Sequence, residues 1–307
     1  MDDDFAPVLR AWRRHLKARN KAEKTVKSYL EAGAQFADWL RTDEARPQAF
    51  AEAGRVELEE FFGDLFAQGR SASTVANRYR SLQQLYRWLF EIEEEIAVSP
   101  FTRMRPPEVP EKDVEVVDVD AMKQLLAACK PPKGTTQVER FLCLRDDALI
   151  RLIYDTGGRC SEVMGLTLDD VDLELEVIHV HGKGRRDRAI PFGVRVGTAL
   201  DRYLRVRGKH PHARLDAFWL AQKGAFGEWG LRQMLDRRTA MAGLPHIHPH
   251  QLRHSAADAF YAAGGQQKDA KRLFGWKSDQ MAERYGSVNA TRRAHEAKRR
   301  LSPGDKV

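Results

Sequence analysis

Cysteine is scarce in this sequence, and its spacing matches no familiar motif. The 307 residues include only three cysteines, Cys129, Cys143 and Cys160, and no two of them are separated as in C-x-x-C. An odd number of widely spaced cysteines argues against the disulfide framework of a small secreted domain and offers no zinc ligand set. The cysteines therefore point to neither an extracellular scaffold nor a zinc protein.

Long apolar runs and a leader-like start are also missing. No apolar stretch approaches the roughly 18 residues that cross a membrane, and the first residues, Met1-Asp2-Asp3-Asp4, are acidic, unlike a signal peptide. The sequence also holds no nucleotide-binding loop, no internal repeat and no low-complexity segment. We expect a cytoplasmic protein.

The composition is that of a globular protein with a moderate positive charge. Hydrophobic residues make up 42%, and 51 lysines and arginines against 44 acidic residues give a net charge of +7. A chain of this length can form two domains with separate cores. Its charge makes a polyanionic partner plausible without requiring one.

The apolar spacing predicts a mainly α-helical protein with a small β-hairpin, in two domains. Four amphipathic helices are indicated in residues 1–103, which we interpret as a helical bundle. Residues 104–117 are rich in proline and charge and are interpreted as a linker. Residues 118–307 combine further helices with two short strands at 177–180 and 188–191. The aromatic residues of the first domain have helical spacing and are expected in its core.

Basic residues of the first domain are candidate contacts to a nucleic-acid backbone. Lys24 and Lys27 lie near the first break between helices, and Arg78 and Arg80 lie on the fourth helix. Lysine and arginine neutralise phosphates, but a solvated helix face explains each of these residues equally well.

A histidine and an arginine begin a predicted helix in the stretch His248-Pro249-His250-Gln251-Leu252-Arg253-His254. Residues three apart share a helix face, so His250 and Arg253 can present a proton-transfer group and a fixed cation to one oxyanion. Taken alone, this pattern also describes an ordinary surface helix start.

Other residues of interest lie on both sides of this helix. Arg159 follows a predicted helix end at Thr156-Gly157-Gly158, and Lys183 lies at the tip of the predicted hairpin. Gly275-Trp276 comes after the His250 helix, and Tyr285 follows nine residues later. Singly, an arginine at a helix end and a lysine in a turn have plain structural explanations.

The chain resembles the tyrosine recombinase (phage integrase) family, including its Xer-type and Cre-type site-specific recombinases. The resemblance rests on the order of Arg159, Lys183, His250 with Arg253, Trp276 and Tyr285 along the sequence. The resemblance covers nearly the whole chain. It implies a helical, SAM-like core-binding domain and a catalytic domain that close on DNA as a clamp. It also implies a homo-oligomer, a tetramer on double-stranded DNA with inverted-repeat core sites. A need for a second recombinase or an accessory protein stays open.

The resemblance also implies a role for each residue. Tyr285 is the nucleophile that forms a 3′-phosphotyrosyl link, His250 accepts its proton, and Lys183 protonates the leaving 5′-oxygen. Arg159 and Arg253 stabilise the phosphate charge, which a guanidinium suits because it binds two oxygens and keeps its charge. Such a reaction needs neither a metal nor ATP, and we expect no cofactor.

Several nearby residues are expected to support this set. Glu162 follows Arg159 by three residues and can hold it through a charge-assisted bond, or it is a surface glutamate. Arg185 and Arg186 are expected to contact the DNA backbone from the hairpin, with Arg188 interpreted in the same way or as a solubilising residue.

Trp276 stands where Xer-type members carry histidine and Cre-type members carry tryptophan. An indole donates a hydrogen bond but accepts no proton, so Trp276 is expected to bind a phosphate oxygen and pack beneath Tyr285, although a core tryptophan is an alternative.

The remaining histidines and the C-terminal segment complete the set of candidate residues. His254 is expected to orient a neighbour. His246, His248, His250 and His254 suggest a metal site, but no HExxH glutamate or cysteine accompanies them, so we predict none. Residues 289–300 hold five basic residues and one glutamate, and the resemblance implies that this segment docks on a neighbouring protomer. No arm-site-binding domain is expected before the bundle.

The sequence thus predicts a site-specific DNA recombinase that acts in integration, excision or resolution. Two alternatives stay open. A type IB topoisomerase-like nicking and closing enzyme would use the same chemistry without a partner duplex. A non-catalytic DNA-binding protein would keep the fold without needing the full set of residues.

Overall fold

The structure is a computed structural model and describes residues 5–110, 115–181, 187–276, 278–286, 290–302 and 304–306. The chain divides into two compact units, Met1–Lys112 and Asp113–Val307. The architecture is mainly α-helical with one small antiparallel sheet, as the sequence predicts. Of the helices described, none is both long and apolar enough to cross a membrane.

Four helices and a short 3₁₀ turn build the first unit. Their bounds are α1 Phe5–Ala18, α2 Glu23–Arg41, α3 Arg55–Ala67, α4 Ala72–Glu91 and the turn Pro100–Arg103. The aromatic side chains fill the core, as their spacing predicted: the Phe36 and Phe61 ring centroids lie 5.0 Å apart, and Phe101 packs edge-on against Tyr79 at 5.0 Å. Pro100–Arg103 thereby packs on the bundle, and the Tyr79 hydroxyl donates to the Met104 carbonyl at 3.0 Å.

Nine helices and three strands form the second unit in the described residues. The elements before the sheet are α5 Val119–Ala127, α6 Gln137–Thr156 and α7 Cys160–Met164; the strands are β1 Val171–Asp172, β2 Val177–Val180 and β3 Arg188–Pro191; the later helices are α8 Val194–Arg207, α9 Glu228–Met241, α10 Pro249–Ala262, α11 Gln267–Phe274, α12 Asp279–Gly286 and α13 Ala290–Arg300.

The sheet has the order β1-β2-β3 and is antiparallel throughout. Ile178 pairs with Ile190, and Val180 pairs with Arg188 at the end of the ladder where the hairpin loop begins. Ile178, Val180 and Ile190 are buried in the core of this unit. β1 was not predicted, because a strand of two residues is too short to show an alternating pattern.

Helix α6 is the central support of the second unit, since it packs against both α8 and α10. Its N-terminus is fixed by a reciprocal capping box of Thr136 and Glu139: the Thr136 N–H donates to Glu139 Oε2 at 2.9 Å and the Glu139 N–H donates to Thr136 Oγ1 at 3.2 Å. Buried Asp146 of α6 accepts from Arg145 and from Arg238 of α9, each at 2.7 Å, which fixes α9 to α6.

Candidate active site

Arg253 lies on the first turns of α10, which starts with Pro249 at its first position. Its side chain is buried, with the residue only 2% exposed. One terminal nitrogen, Nη1, donates to the Gly157 carbonyl, and Nη2 donates to the Phe274 carbonyl at 2.6 Å. Two backbone carbonyls from distant parts of the chain therefore fix the orientation of this guanidinium.

Arg159 is also held by a backbone carbonyl. It caps the N-terminus of α7, and its Nη2 donates to the Gly275 carbonyl at 2.7 Å. Its Nη1 donates to Glu162 Oε1 at 2.8 Å, and its backbone N–H donates to Glu162 Oε2 at 2.9 Å. The Arg159 side chain is 38% exposed, so its guanidinium is both oriented and open to an anion.

Glu162 is buried between two arginines rather than lying on the surface. In addition to Arg159, it accepts a bidentate pair of bonds from Arg188, at 3.0 Å to Oε1 and 2.8 Å to Oε2. Burial opposes ionisation of this carboxyl, but the hydrogen bonds from Arg188 and Arg159 outweigh it and lower the pKa of Glu162 to about 2. Glu162 is therefore a permanent anion at neutral pH.

This low pKa predicts that Glu162 contributes to acid stability. The folded-state pKa lies below the usual 4.5, so the stabilisation is complete above about pH 4.5 and disappears as pH falls towards 2. At about 1.4 kcal/mol for each pH unit, the difference corresponds to about 3 kcal/mol. Urea unfolding at a series of pH values should show the free-energy gap between wild type and Glu162→Gln shrinking by about this amount. Parallel pH profiles would contradict the prediction.

The C-terminal end of α11 is where the arginines converge. The carbonyls of Leu273, Phe274 and Gly275, here called the carbonyl collar, accept from Arg188, Arg253 and Arg159 at 2.9, 2.6 and 2.7 Å respectively. The last carbonyls of a helix have no partner within the helix and carry partial negative charge, which cations complement. The collar thus aligns three guanidinium groups immediately before Trp276.

Gly157 ends α6 and is needed for this arrangement. It adopts the left-handed conformation, with φ of 58°, and ends the helix where the sequence predicted an end. A Cβ atom here would collide with the Phe274 ring and lie 3.2 Å from the Cβ of Ala256. The backbone turn therefore brings the Gly157 carbonyl within reach of Arg253 only when no side chain intervenes.

We expect Gly157→Ala to destabilise the second unit. The left-handed conformation costs a non-glycine residue roughly 1–2 kcal/mol, and the displaced ring of Phe274 adds to this cost. Thermal unfolding should show a clearly lower midpoint. Gly134→Ala is a matched control, because Gly134 also has positive φ but a Cβ atom there would have no neighbour within 4 Å. Equal loss in both variants would assign the effect to backbone strain alone.

His250 and Arg253 line a cleft of about 520 Å³ in the second unit. The His250 ring meets His254 edge-on, with ring centroids 4.7 Å apart, and His254 is buried. Arg232 and Asp236 of α9 line the same cleft. Neither residue belongs to a motif in the sequence, because the approach of α9 to α10 is a tertiary contact.

Trp276 belongs to a small core cluster. It is 5% exposed, and its ring stacks on Phe274 at 4.9 Å and on Tyr261 at 6.5 Å. Trp276 is therefore packed as a core tryptophan, which is the alternative named in the sequence analysis. Its predicted position beneath Tyr285 involves a side chain outside the described part, although the backbone of Tyr285 lies in α12.

The remaining histidines are arranged in hydrogen bonds. His246 Nδ1 lies 2.6 Å from Asp236 Oδ1, and His246 Nε2 lies 2.8 Å from His248 Nδ1. In the described ranges, no group of three or more histidine, cysteine or carboxylate side chains is arranged to hold a metal ion.

The hairpin tip, with Lys183, Arg185 and Arg186, lies outside the described residues. At the base of the hairpin, His181 Nε2 lies 2.9 Å from Asp170 Oδ1, and His181 Nδ1 lies 3.1 Å from Asp187 Oδ1. Hydrogen bonds to these carboxylates raise the pKa of His181. Arg188, at the same base, was expected to contact DNA or to solubilise the protein. This was wrong, because its guanidinium is bonded to Glu162 and Leu273 inside the protein.

The candidate DNA contacts of the first unit lie on two packed helices. Lys24 and Lys27 are on α2, and Arg78 and Arg80 are on α4. Asn77 of α4 donates to Ser28 of α2 at 3.4 Å, which brings the two basic segments side by side. Arg78 also donates to Gln35 at 2.9 Å, while Lys27 pairs loosely with Glu31 at 3.9 Å.

Comparison with known proteins identifies relatives along most of the chain. Residues 115–292 match the phage integrase family, and residues 8–96 match the phage integrase N-terminal SAM-like domain. The tyrosine recombinase XerC of Bacillus subtilis is 27% identical over 280 residues, covering 88% of both chains. XerC of Actinobacillus pleuropneumoniae is 30% identical over 258 residues, covering 84% of this chain and 81% of that protein.

Solved structures show the same fold at lower identity. The XerH site-specific recombinase in a post-cleavage complex with a palindromic difH substrate has a TM-score of 0.72 at 21% identity, covering 92% of this chain and 81% of that one. A lambda integrase tetramer bound to a Holliday junction has a TM-score of 0.67 at 17% identity, covering 89% and 77%. The family match spans more than half of the sequence and contains the carbonyl collar and its three arginines, so this chain belongs to the phage integrase family.

Proposed function

We propose that this protein is a site-specific DNA recombinase that cleaves and rejoins DNA through a 3′-phosphotyrosyl intermediate. The observation that carries the proposal is the convergence of Arg159 and Arg253 on the carbonyl collar, next to the cleft lined by His250. Two oriented guanidinium groups at one site suit a pentacoordinate phosphorus, whose non-bridging oxygens gain negative charge. The first unit is the core-binding domain and the second unit is the catalytic domain.

The reaction assigns one step to each residue. The Tyr285 oxygen attacks the scissile phosphorus, and its proton passes to His250. The bond from phosphorus to the 5′-oxygen breaks, and Lys183 protonates that oxygen as it leaves. Attack by the 5′-hydroxyl of a second strand reverses these steps and releases Tyr285. One phosphoester replaces another throughout, so no energy source is consumed.

The double-stranded DNA partner and the oligomer are proposed from relatives. XerH is bound to a difH substrate, and lambda integrase forms a tetramer on a Holliday junction. By analogy, this chain binds inverted-repeat core sites through Lys24, Lys27, Arg78 and Arg80 of the first unit and Arg185 and Arg186 of the hairpin, and works as a tetramer. A DNA-acting protein of this kind acts in the cytoplasm, at the nucleoid. No observation favours the topoisomerase-like or the non-catalytic alternative.

A strand-transfer assay tests the function. Inverted repeats are first identified in the DNA flanking the gene by binding of the purified protein. Two labelled duplexes that carry the repeat are then incubated with the protein, and we expect hybrid products that join one duplex to the other. Relaxation of supercoiled plasmid without hybrid products would favour the topoisomerase-like alternative. Binding without either product would favour the non-catalytic one.

A further inference from the structure

Arg188 is the arginine of the carbonyl collar to which the reaction above gives no role. It lies in β3, opposite Val180 at the base of the hairpin. Its Nε donates to the Leu273 carbonyl at 2.9 Å, and its two terminal nitrogens donate to the two oxygens of Glu162 at 3.0 and 2.8 Å. Its side chain is 14% exposed and each of its three nitrogens donates to a protein acceptor, so the protein fixes the orientation of this guanidinium.

Each carboxylate oxygen of Glu162 accepts one hydrogen bond from Arg188 and one from Arg159. Its Oε1 accepts from a terminal nitrogen of each arginine, and its Oε2 accepts from the Arg188 Nη2 and the Arg159 backbone N–H. The two guanidinium groups also flank Gly275: a Cβ there would lie 3.0 Å from Arg188 Cζ and 3.2 Å from Arg159 Nη1. Any movement of Arg188 is therefore transmitted to Arg159 through one carboxylate.

The charges in this cluster explain why a second arginine is needed. Glu162 carries a full negative charge 2.8 Å from the Arg159 guanidinium, and alone it would cancel the positive charge that Arg159 offers to a phosphate. Arg188 supplies a second cation to the same carboxylate, so the group of three keeps a net charge of one positive unit. In a partly buried site, where charges are weakly screened, this difference acts strongly on a developing phosphate charge.

We propose that Arg188 is a positioning residue that neutralises Glu162 and thereby keeps Arg159 oriented and electrostatically available to the scissile phosphate. The proposal rests on the proposed function, in which Arg159 stabilises that phosphate. Arg188 itself touches neither the DNA nor the reacting atoms. It acts on the reaction through Glu162 and through the Leu273 carbonyl of the collar.

The experiment compares a scissile phosphate, which is charged, with a scissile methylphosphonate, which is neutral. Single-turnover formation of the covalent adduct is measured on a nicked duplex of the inverted repeat, and on the same duplex with a methylphosphonate at the scissile position, in both diastereomers. The methyl group removes the charge that the arginines stabilise. Wild type, Arg188→Ala, Arg188→Lys and Arg159→Ala are compared, with DNA affinity measured for each by fluorescence anisotropy.

We expect Arg188→Ala to bind the duplex normally and to form the adduct about 10- to 100-fold more slowly, by analogy with the loss of a residue that orients a metal ligand. On the methylphosphonate diastereomer that restores Arg159→Ala, it should recover to within a few-fold of wild type. Arg188→Lys should fall between the two, because one ammonium cannot bond both Glu162 oxygens and Leu273 together. Arg205→Ala is the matched control: it breaks an exposed pair with Asp201 in the same unit and should behave as wild type on both substrates.

Two results would overturn the role of Arg188: an unchanged rate in Arg188→Ala, or equal slowness on both substrates. If Arg188→Ala does not fold, as its thermal unfolding would reveal, Arg188→Lys is judged by the same two criteria. Absence of any wild-type adduct on the charged duplex would instead refute the proposed function.

Discussion

Tyr285→Phe is expected to abolish covalent capture of DNA while leaving DNA binding nearly unchanged. The substitution removes one oxygen, the atom that is proposed to attack phosphorus, and leaves the rest of the side chain unchanged. Removal of a covalent nucleophile costs on the order of 10⁴-fold or more. A suicide duplex, nicked near the cleavage point so that the released strand diffuses away, should trap wild type as an adduct on a denaturing gel and show none with the variant.

Tyr261 is the informative control for this assignment. It lies on α10, its ring stacks on Trp276, and its hydroxyl is 3.5 Å from the Ala282 carbonyl of α12. Tyr261→Phe should still yield the adduct, since the proposed nucleophile, Tyr285 of α12, is unchanged in this variant. An adduct that persists in Tyr285→Phe and disappears in Tyr261→Phe would move the nucleophile to Tyr261.

The parts of the site that the sequence predicted are those set by local geometry. Gly157 ends a helix in the left-handed conformation, Glu162 reaches Arg159 three residues away, and Pro249 starts the helix that carries His250 and Arg253. Each relation spans a few residues, so helical periodicity and turn chemistry are enough to find it.

The parts that the sequence analysis missed depend on tertiary contacts. Arg188 and Glu162 are separated by 26 positions, and Arg188 and Leu273 by 85. The carbonyl collar consists of backbone oxygens. Every residue has such an oxygen, so no residue type in the sequence indicates the collar. A hairpin arginine is, by its neighbourhood, indistinguishable from a DNA contact, and only the fold reveals that its guanidinium points into the protein.

Arg253→Ala is expected to reduce both stability and catalysis, because this buried side chain serves both. Its removal leaves the carbonyls of Gly157 and Phe274 without their donors, at about 1–3 kcal/mol for each buried group. Two such groups cost about 2–6 kcal/mol, and for a unit of this size 1 kcal/mol corresponds to roughly 2–4 °C, so the thermal midpoint of the second unit should fall by roughly 4–24 °C. Loss of one preorganised donor to the phosphate should slow cleavage about 10²- to 10³-fold.

The effects on stability and on catalysis can be separated by measuring the rate at low temperature and by comparison with a matched arginine variant. Cleavage is measured well below the unfolding midpoint of each protein, with the rate normalised to the fraction that binds the duplex. Arg151→Ala removes an arginine that pairs with Asp147 on α6 at 3.0 Å, and a partly exposed pair of this kind is worth under about 1 kcal/mol. It should keep nearly wild-type stability and rate. If Arg253→Ala cleaved as fast as Arg151→Ala at low temperature, Arg253 would be a structural arginine alone, and stabilisation of the phosphate charge would be left to Arg159.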